Sequence, residues 1–217
     1  MVKKINIFAF LMIFFSLAAF SQKEAEAILN KLSKTISGYN SLYFEYTLRT
    51  EDLQLSTSNM QDGKVLAKGN KYRVSTKDAD IYSDGITQWQ YLKDANEVVI
   101  FSADTESDDF MTNPIGFITG NRDEFKQSLK GEVDEDGLKL TQIDFYPKDI
   151  KKPYSYIRVR INEQKQQPYS IRYVGKDGVN YTIKIKNYLP NVEAPKNEDF
   201  IFIPENYPDI VIEDLRE

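Results

Sequence analysis

The sequence predicts a single, mostly β domain with one long helix near its start and a short helix in its middle. Two observations predict this fold class. Beyond residue 40, most segments alternate apolar and polar side chains, which is the pattern of half-buried strands. Turn-forming residues recur between these segments, as in "SDG" at 83–85 and "KDAN" at 93–96. Short alternating segments joined by tight turns are typical of an antiparallel meander.

The predicted strands follow from this alternation. In the first of them, "SLYFEYTLR", Leu42, Phe44 and Tyr46 share one face, and Tyr43 and Glu45 share the other. Further turns are predicted at "QDGK" (61–64) and "KGNK" (68–71). The strand segments are 41–49, 64–68, 71–75, 80–83, 86–92, 97–103, 138–147, 154–162, 167–175 and 179–189, with a last short strand or two within 197–217.

Two segments carry helical signals. Residues 23–37 place apolar side chains at helical spacing, and Gly38 ends the pattern. The segment "TNPIGFITG" (112–120) offers Asn113 as an N-cap and Pro114 at the first helical position. An antiparallel sheet with one apolar face must cover that face, and these helices are the available cover. The pattern leaves open whether sheet and helices form a solid core or enclose a space for a ligand.

The first residues predict export from the cytoplasm. Lys3 and Lys4 precede an apolar segment at 5–20, which is followed by the small residue Ser21. We expect cleavage between Ser21 and Gln22, which leaves 22–217 as one domain in the periplasm. The rival interpretation is an uncleaved anchor, for which this segment is shorter than the roughly 20 residues that a membrane span needs.

The composition argues against most enzymatic chemistry. The 217 residues contain no histidine and no cysteine. This removes the commonest general base, thiolate metal ligands, cysteine nucleophiles, disulfides and a lipid-bearing N-terminal cysteine. The formal net charge of −5 disfavours a nucleic-acid partner. We therefore expect a monomeric binding protein rather than an enzyme, without a metal or a cofactor.

Two acidic segments are the candidates for a cation or acid–base site. They are "ESDD" (106–109) and "DEDG" (134–137). Neither has the ligand spacing of a calcium loop. We interpret both as solvated turns.

The chain contains "YSDGITQWQYL" at 82–92, "TNPIGFITG" at 112–120, and "FIFIP" at 200–204 with "VIEDLR" at 211–216. In this order, these segments resemble the LolA family of periplasmic lipoprotein carriers. "YSDGITQWQYL" (82–92) is similar to that family's hairpin, and "TNPIGFITG" to the start of its central lid helix. "FIFIP" (200–204) with "VIEDLR" (211–216) resembles its C-terminal strand and the following acidic turn. The resemblance implies an α+β fold: an unclosed, strongly curved antiparallel half-barrel, covered by helices over a hydrophobic cavity.

The same resemblance implies a function and partners. Members of the family accept acylated lipoproteins from an inner-membrane ABC transporter, the LolCDE complex, and carry them to the outer membrane, where the lipidated acceptor LolB receives them. Because the chain has no cysteine, it resembles the soluble carrier rather than that acceptor. The side chains expected to line the lipid-binding cavity are Phe44, Tyr46, Tyr72, Trp89, Tyr91 and Ile100 on strands, with Ile28, Leu29, Leu32, Met111, Phe117 and Ile118 on the lid.

One segment departs from the family. Relatives often have an arginine and a proline where this chain has Gly69 and Asn70, and that arginine holds the lid closed. Arg73 or Lys71 is the nearest substitute in the sequence. The departure keeps two other hypotheses open. In one, the protein binds a different lipid or apolar small molecule. In the other it is a purely structural domain, in which Trp89 belongs to a solid core.

Overall fold

The computed structural model describes residues 7–103, 114–120, 122–193 and 195–216, and the side chains of these residues except 7–20 and 114–116. The α-helices of this part are α1 (Ile7–Ser37) and α2 (Pro114–Thr119), and its 3-10 helices are Asn197–Phe200 and Pro204–Asn206. The strands are β1 (Leu42–Asp52), β2 (Thr57–Lys68), β3 (Lys71–Thr76), β4 (Ala79–Ser83), β5 (Thr87–Leu92), β6 (Glu97–Ser102), β7 (Phe125–Glu135), β8 (Leu138–Pro147), β9 (Tyr154–Asn162), β10 (Gln167–Gly175), β11 (Val179–Pro190) and β12 (Val211–Asp214).

All of these strands belong to one open, curved sheet. Their order across the sheet is β12-β6-β5-β4-β3-β2-β1-β11-β10-β9-β8-β7. Every neighbouring pair is antiparallel except β12 with β6, which is parallel. The first and last strands of this order do not pair with each other, so the sheet stays unclosed. The predicted fold class, a mainly antiparallel half-barrel with few helices, is confirmed.

The two faces of the sheet bury different parts of the chain. Ile81 and Tyr82 are consecutive residues of β4 and therefore point to opposite faces. Ile81 belongs to the large core that contains α1 and α2, and we call this face the inner face. Tyr82 packs with Phe202 of the C-terminal segment, and we call its face the outer face. The helices therefore cover apolar side chains on the inner face, and the C-terminal segment covers apolar side chains on the outer face.

Helix α1 supplies most of the inner covering that the structure describes. Its side chains Ala25, Leu29, Leu32 and Ile36 are buried against the sheet, at the helical spacing that the sequence predicts. The helix begins at Ile7 rather than near residue 23, and it ends at Ser37, where the amide of Gly38 donates to the carbonyl of Lys34 over 3.1 Å. Within the residues whose side chains the structure describes, no helical segment is long and apolar enough to span a membrane.

Three segments of the sheet differ from the predictions. The "QDGK" turn is wrong: residues 61–64 lie inside β2, and the hairpin turns at 53–56. Gly63 is needed there because a Cβ on it would lie 2.3 Å from Cζ of Tyr46. Strand β7 was not predicted, since charged residues and a bulge near Gly131 interrupt its alternation. The predicted "FIFIP" strand is also wrong, because this segment runs from the last residue of the first 3-10 helix, Phe200, to the first residue of the second, Pro204.

Candidate functional site

The inner face carries a continuous row of aromatic rings. The ring of Phe145 on β8 lies 5.2 Å from that of Phe117 on α2 and 5.8 Å from that of Phe125 on β7. The row continues across β9 and β10, where Tyr154 and Tyr173 have ring centroids 5.0 Å apart. Aromatic side chains of this kind offer large apolar area with few rotatable bonds. The inner face is therefore lined by large, rigid apolar groups.

A second aromatic group lies at the centre of the sheet. Phe44 on β1 stacks on Tyr188 of β11 with a centroid distance of 6.3 Å, and Tyr39 meets Tyr188 edge-on at 6.4 Å. Burial raises the pKa of Tyr46 to about 12, and it also raises the pKa of Tyr188. Both phenols therefore stay neutral at physiological pH, so this part of the wall carries no charge.

The short helix α2 is fastened to α1 by polar contacts. One guanidinium nitrogen of Arg122 donates to the carbonyl of Ile118 over 2.7 Å, and another donates to Oδ1 of Asn30 on α1 over 2.6 Å. The hydroxyl of Ser33 donates to the carbonyl of Thr119 over 3.4 Å. Burial lowers the pKa of the Arg122 guanidinium. Arg122 thus joins the C-terminal end of α2 to the C-terminal third of α1.

A groove opens beside these helices at one end of the inner face. It has a volume of about 170 Å³ and lies between the end of α1, the first residues of β1, the end of β2 and Thr119 of α2. Ile36, Leu42 and Ala67 form apolar parts of its wall. Lys68 lines it as well, with its ammonium donating to the carbonyl of Pro195 over 3.0 Å. The groove leads from solvent to the edge of the inner-face core.

The structure brings most of the predicted lining residues together. Tyr72 on β3 packs against the same core as Phe44 on β1, and its hydroxyl donates to Oε1 of Gln88 over 2.8 Å. Met111 lies outside the described residues. The predicted residues that share the inner-face core are Ile28, Leu29, Leu32, Phe44, Tyr46, Tyr72, Phe117 and Ile118.

Trp89, Tyr91 and Ile100 are not brought together with that group. Trp89 pairs across the strands with Tyr82 and with Ile100, so all three lie on the outer face. Tyr91 lies two residues after Trp89 in β5 and shares this face. Its ring is 5.5 Å from that of Phe202 in the C-terminal segment. The hairpin that contains the only tryptophan is therefore covered by the C-terminal segment and not by α1 or α2.

Neither predicted substitute for the lid arginine reaches the helices. Arg73 lies over the ring of Tyr82 on the outer face, 4.6 Å from its centroid. The ammonium of Lys71 donates to Oδ1 of Asn197, before the C-terminal strand, over 3.0 Å. The polar contacts between the two helices come instead from Ser33 and from Arg122, which the sequence analysis did not single out. The position of Arg122 directly after the α2 segment was the available signal.

The sequence analysis also missed Phe125, Phe145 and Tyr154 as inner-face residues. Phe145 pairs across the strands with Ile157, and both are buried in the same core. The alternation of "QIDFY" in β8 distinguishes its two faces, which could have marked Phe145 as inward-facing. Phe125 stands at the start of β7, which carries no clear alternation, so its place depends on the tertiary structure.

Comparisons with known proteins find relatives of this chain. A family model described as "Outer membrane lipoprotein carrier protein LolA" matches residues 17–141, which is more than half of the chain. An uncharacterized protein of Methanocaldococcus jannaschii is 27% identical over 201 residues, which cover 92% of this chain. The matched region is 57% of that relative, so the chain spans little more than half of its length.

Solved structures resemble the fold as well. An uncharacterized conserved protein from Thermus thermophilus superposes with a TM-score of 0.57 at 13% identity, over 89% of this chain and 99% of its own. A LolA superfamily protein from Nitrosomonas europaea superposes with a TM-score of 0.44 at 14% identity, over 82% of this chain and 97% of its own. The Thermus protein supports the shared fold, and the family match supports the relationship. The chain belongs to the LolA family of outer membrane lipoprotein carrier proteins.

Proposed function

We propose that the protein is a periplasmic carrier that binds the acyl chains of lipoproteins on its inner face and carries them from an inner-membrane ABC transporter of the LolCDE type to the outer membrane. The acyl chains would lie against the aromatic row of Phe117, Phe125, Phe145 and Tyr154. Under this proposal residues 1–21 are a cleaved signal peptide and residues 22–217 form one carrier domain. The protein acts by binding, not by catalysis, and works as a monomer.

The observation that carries the proposal is the contrast between the apolar inner face and the few polar contacts that hold α2 over it. Helix α2 has only six residues, too few to be stable without its tertiary contacts. Phe117 of α2 packs on Phe125 and Phe145. Movement of this one short helix would therefore expose the rings of Phe125 and Phe145 without disturbing any strand pair.

The energetics of acyl chains fit such a surface. Each methylene group removed from water stabilises a complex by about 0.8 kcal/mol, so a few acyl chains gain much from any apolar cover. A carrier must also release its cargo. Displacement of α2 breaks its few hydrogen bonds and exposes Phe117 and Ile118, and acyl chains that take their place against the inner face restore apolar contacts. The inner face thus combines a large apolar surface with a removable cover.

The proposal is tested by a release assay. Inner-membrane vesicles that contain a lipoprotein-releasing ABC transporter and a radiolabelled triacylated lipoprotein are incubated with ATP and the purified protein. We expect the lipoprotein to appear in the supernatant in a soluble complex with the protein, and to move to outer-membrane vesicles added afterwards. Lipoprotein that stays in the pellet would contradict the proposal.

A second function is favoured by one observation. The turn at Gly69 and Asn70 lacks the arginine of the relatives, and Arg73 and Lys71 are both turned away from the helices. A differently fastened cover is compatible with binding of another lipid or an apolar small molecule. Native mass spectrometry of the protein purified from its own envelope would identify such a ligand. A bound small lipid, together with a negative release assay, would support this alternative.

Replacement of Arg122 by Met tests whether the cover is held as proposed. The variant loses the hydrogen bonds to Ile118 and Asn30, which should weaken the attachment of α2 by about 2 kcal/mol. We expect tighter binding of a fluorescent fatty acid, because less free energy is needed to displace the helix. Replacement of Asn30 by Ala, which removes one of the two acceptors, should give a smaller effect in the same direction.

The matched control is replacement of Arg49 by Met. Arg49 is an exposed arginine of β1 that pairs with Glu51 at 3.0 Å, far from the two helices. We expect its fatty-acid affinity to equal that of the wild type. Equal affinities for the Arg122 and Arg49 variants would show that Arg122 does not control access to the inner face.

A further inference from the structure

A separate pocket lies on the outer face of the sheet, away from the proposed carrier site. Its centre is a row of directly paired residues, in which Glu45 of β1 lies opposite Lys64 of β2, Lys64 opposite Ser75 of β3, and Ser75 opposite Asp80 of β4. The pocket has a volume of about 480 Å³, within the range of small-molecule sites. Among its described lining residues, none belongs to α1 or α2.

The acidic groups of the pocket are already engaged. Asp80 is buried and forms ion pairs with Lys93 at 2.9 Å and with Arg73 at 3.6 Å, although its Oδ1 accepts no well-aligned hydrogen bond among the described residues. The ammonium of Lys186 donates to Oδ1 of Asp62 over 2.7 Å, and this contact lowers the pKa of Asp62. Asp62 therefore stays ionised.

The third acid, Glu45, accepts a hydrogen bond from the hydroxyl of Tyr43 over 2.6 Å. It lies directly opposite Lys64 in the sheet, but the two side chains do not form an ion pair within 4.0 Å. None of the three carboxylates therefore neutralises Lys64.

Two donors in the pocket are left without protein acceptors. Within the described part of the chain, the ammonium of Lys64 makes no ion pair or hydrogen bond. Nε of Arg73 is buried and has no hydrogen-bond partner among the described residues. The pocket also holds four cationic side chains against three acidic ones, although the chain as a whole carries a net charge of −5. The free donors and the local excess of positive charge both favour an anion.

We propose that this pocket binds a phosphate group through Lys64 and Arg73. Arg73 presents a planar set of donors that suits tetrahedral oxyanions, and Lys64 adds a mobile point charge at the exposed side. The ion pairs of Asp80 hold Arg73 and Lys93 in place, so the donors are positioned before the ligand arrives. The remaining volume accommodates the polar body of a molecule that carries the phosphate.

The test is titration calorimetry of the purified protein with inorganic phosphate at low ionic strength, with chloride held constant. A hydrogen bond to a charged group contributes enough that replacement of Lys64 by Gln should weaken phosphate binding at least about tenfold. Replacement of Arg73 by Lys keeps the charge but removes Nε, and it should weaken binding as well. Replacement of Lys126 by Gln, an exposed lysine of β7, is the matched control and should leave binding unchanged.

Vesicle flotation distinguishes the two sources of phosphate. Flotation with phosphatidylglycerol vesicles but not with phosphatidylcholine vesicles, lost on replacement of Lys64, would support the proposal with a lipid headgroup as ligand. Calorimetric binding of inorganic phosphate without flotation would support it with a soluble phosphate. The proposal is overturned if the wild type binds neither probe, or if the Lys64 and Lys126 variants bind equally well. None of these results depends on lipoprotein release.

Discussion

Replacement of Phe145 by Ala should lower the free energy of unfolding by about 3–5 kcal/mol, the usual cost of removing a large aromatic side chain from a packed core. Phe145 is fully buried on β8, and its ring contacts those of both Phe117 and Phe125. Because Phe117 belongs to α2, the same change removes a main support of the helix that covers the inner face. We therefore expect loss of stability together with easier access to this face.

Urea denaturation followed by circular dichroism measures the first effect, and fatty-acid binding measures the second. Replacement of Phe145 by Leu is the informative comparison, since it keeps most of the apolar volume and should cost less than about 1.5 kcal/mol. Replacement of the exposed Ile150 by Ala should change stability by less than about 0.5 kcal/mol. A loss below about 1 kcal/mol for the alanine variant at position 145 would contradict the packing described for this core.

Replacement of Arg158 by Met should lower the free energy of unfolding by a similar amount, about 3–5 kcal/mol. The side chain of Asp144 on β8 is only 1% exposed, and Arg158 on β9 pairs with both of its oxygens at 2.8 and 2.9 Å. The contact raises the pKa of Arg158. Removal of the guanidinium leaves a buried carboxylate without its counter-ion, which is much less favourable than either the intact pair or an apolar replacement of both residues.

A double variant tests whether the unpaired carboxylate causes this loss of stability. If the cost arises from the unpaired Asp144 carboxylate, replacement of Asp144 by Leu in the Arg158→Met background should recover most of the lost stability. The control for loss of a lysine or arginine charge is Lys139→Met. Lys139 and its partner Glu132 are 72% and 69% exposed and 4.0 Å apart, so the expected change is below about 1 kcal/mol. An equally large loss in this control would refute the explanation.

Local sequence signals predicted the positions of most strands and of both helices. The alternation in β1, β9 and β11 is regular because each strand has one face in a core and the other in solvent. The strand prediction failed where a residue type that usually marks a turn lies inside a strand, and where a strand lacks the usual alternation. Gly63 is typical of a turn, but here it lies in a strand because the Tyr46 ring occupies the space of its side chain. Strand β7 lies at the sheet edge with much of its length exposed, so it needs no regular alternation.

The candidate site was predictable in part. The apolar face of the N-terminal helix follows from its spacing, and Leu29 and Leu32 do meet the inner face. The position of Arg122 directly after the α2 segment is a local signal, but its partner Asn30 lies 92 residues earlier in the chain, so the contact between them depends on the tertiary structure. The outer-face pocket was equally hidden, since Lys64, Arg73 and Lys93 come from three different strands or turns.

Local patterns in the sequence are enough to predict the mostly β architecture and the two helices. What covers each face of the sheet depends on contacts between segments that are far apart in the chain. Alternation with period two shows that Trp89 and its immediate neighbours in β5 point to opposite faces of the sheet. The same pattern would arise whichever of the two faces the helices cover, so it does not assign Trp89 to either face. The C-terminal segment with Phe202 and Tyr207 packs on this cluster from more than 100 residues away in the chain. The tryptophan therefore lies on the outer face, opposite the surface that we propose for acyl chains.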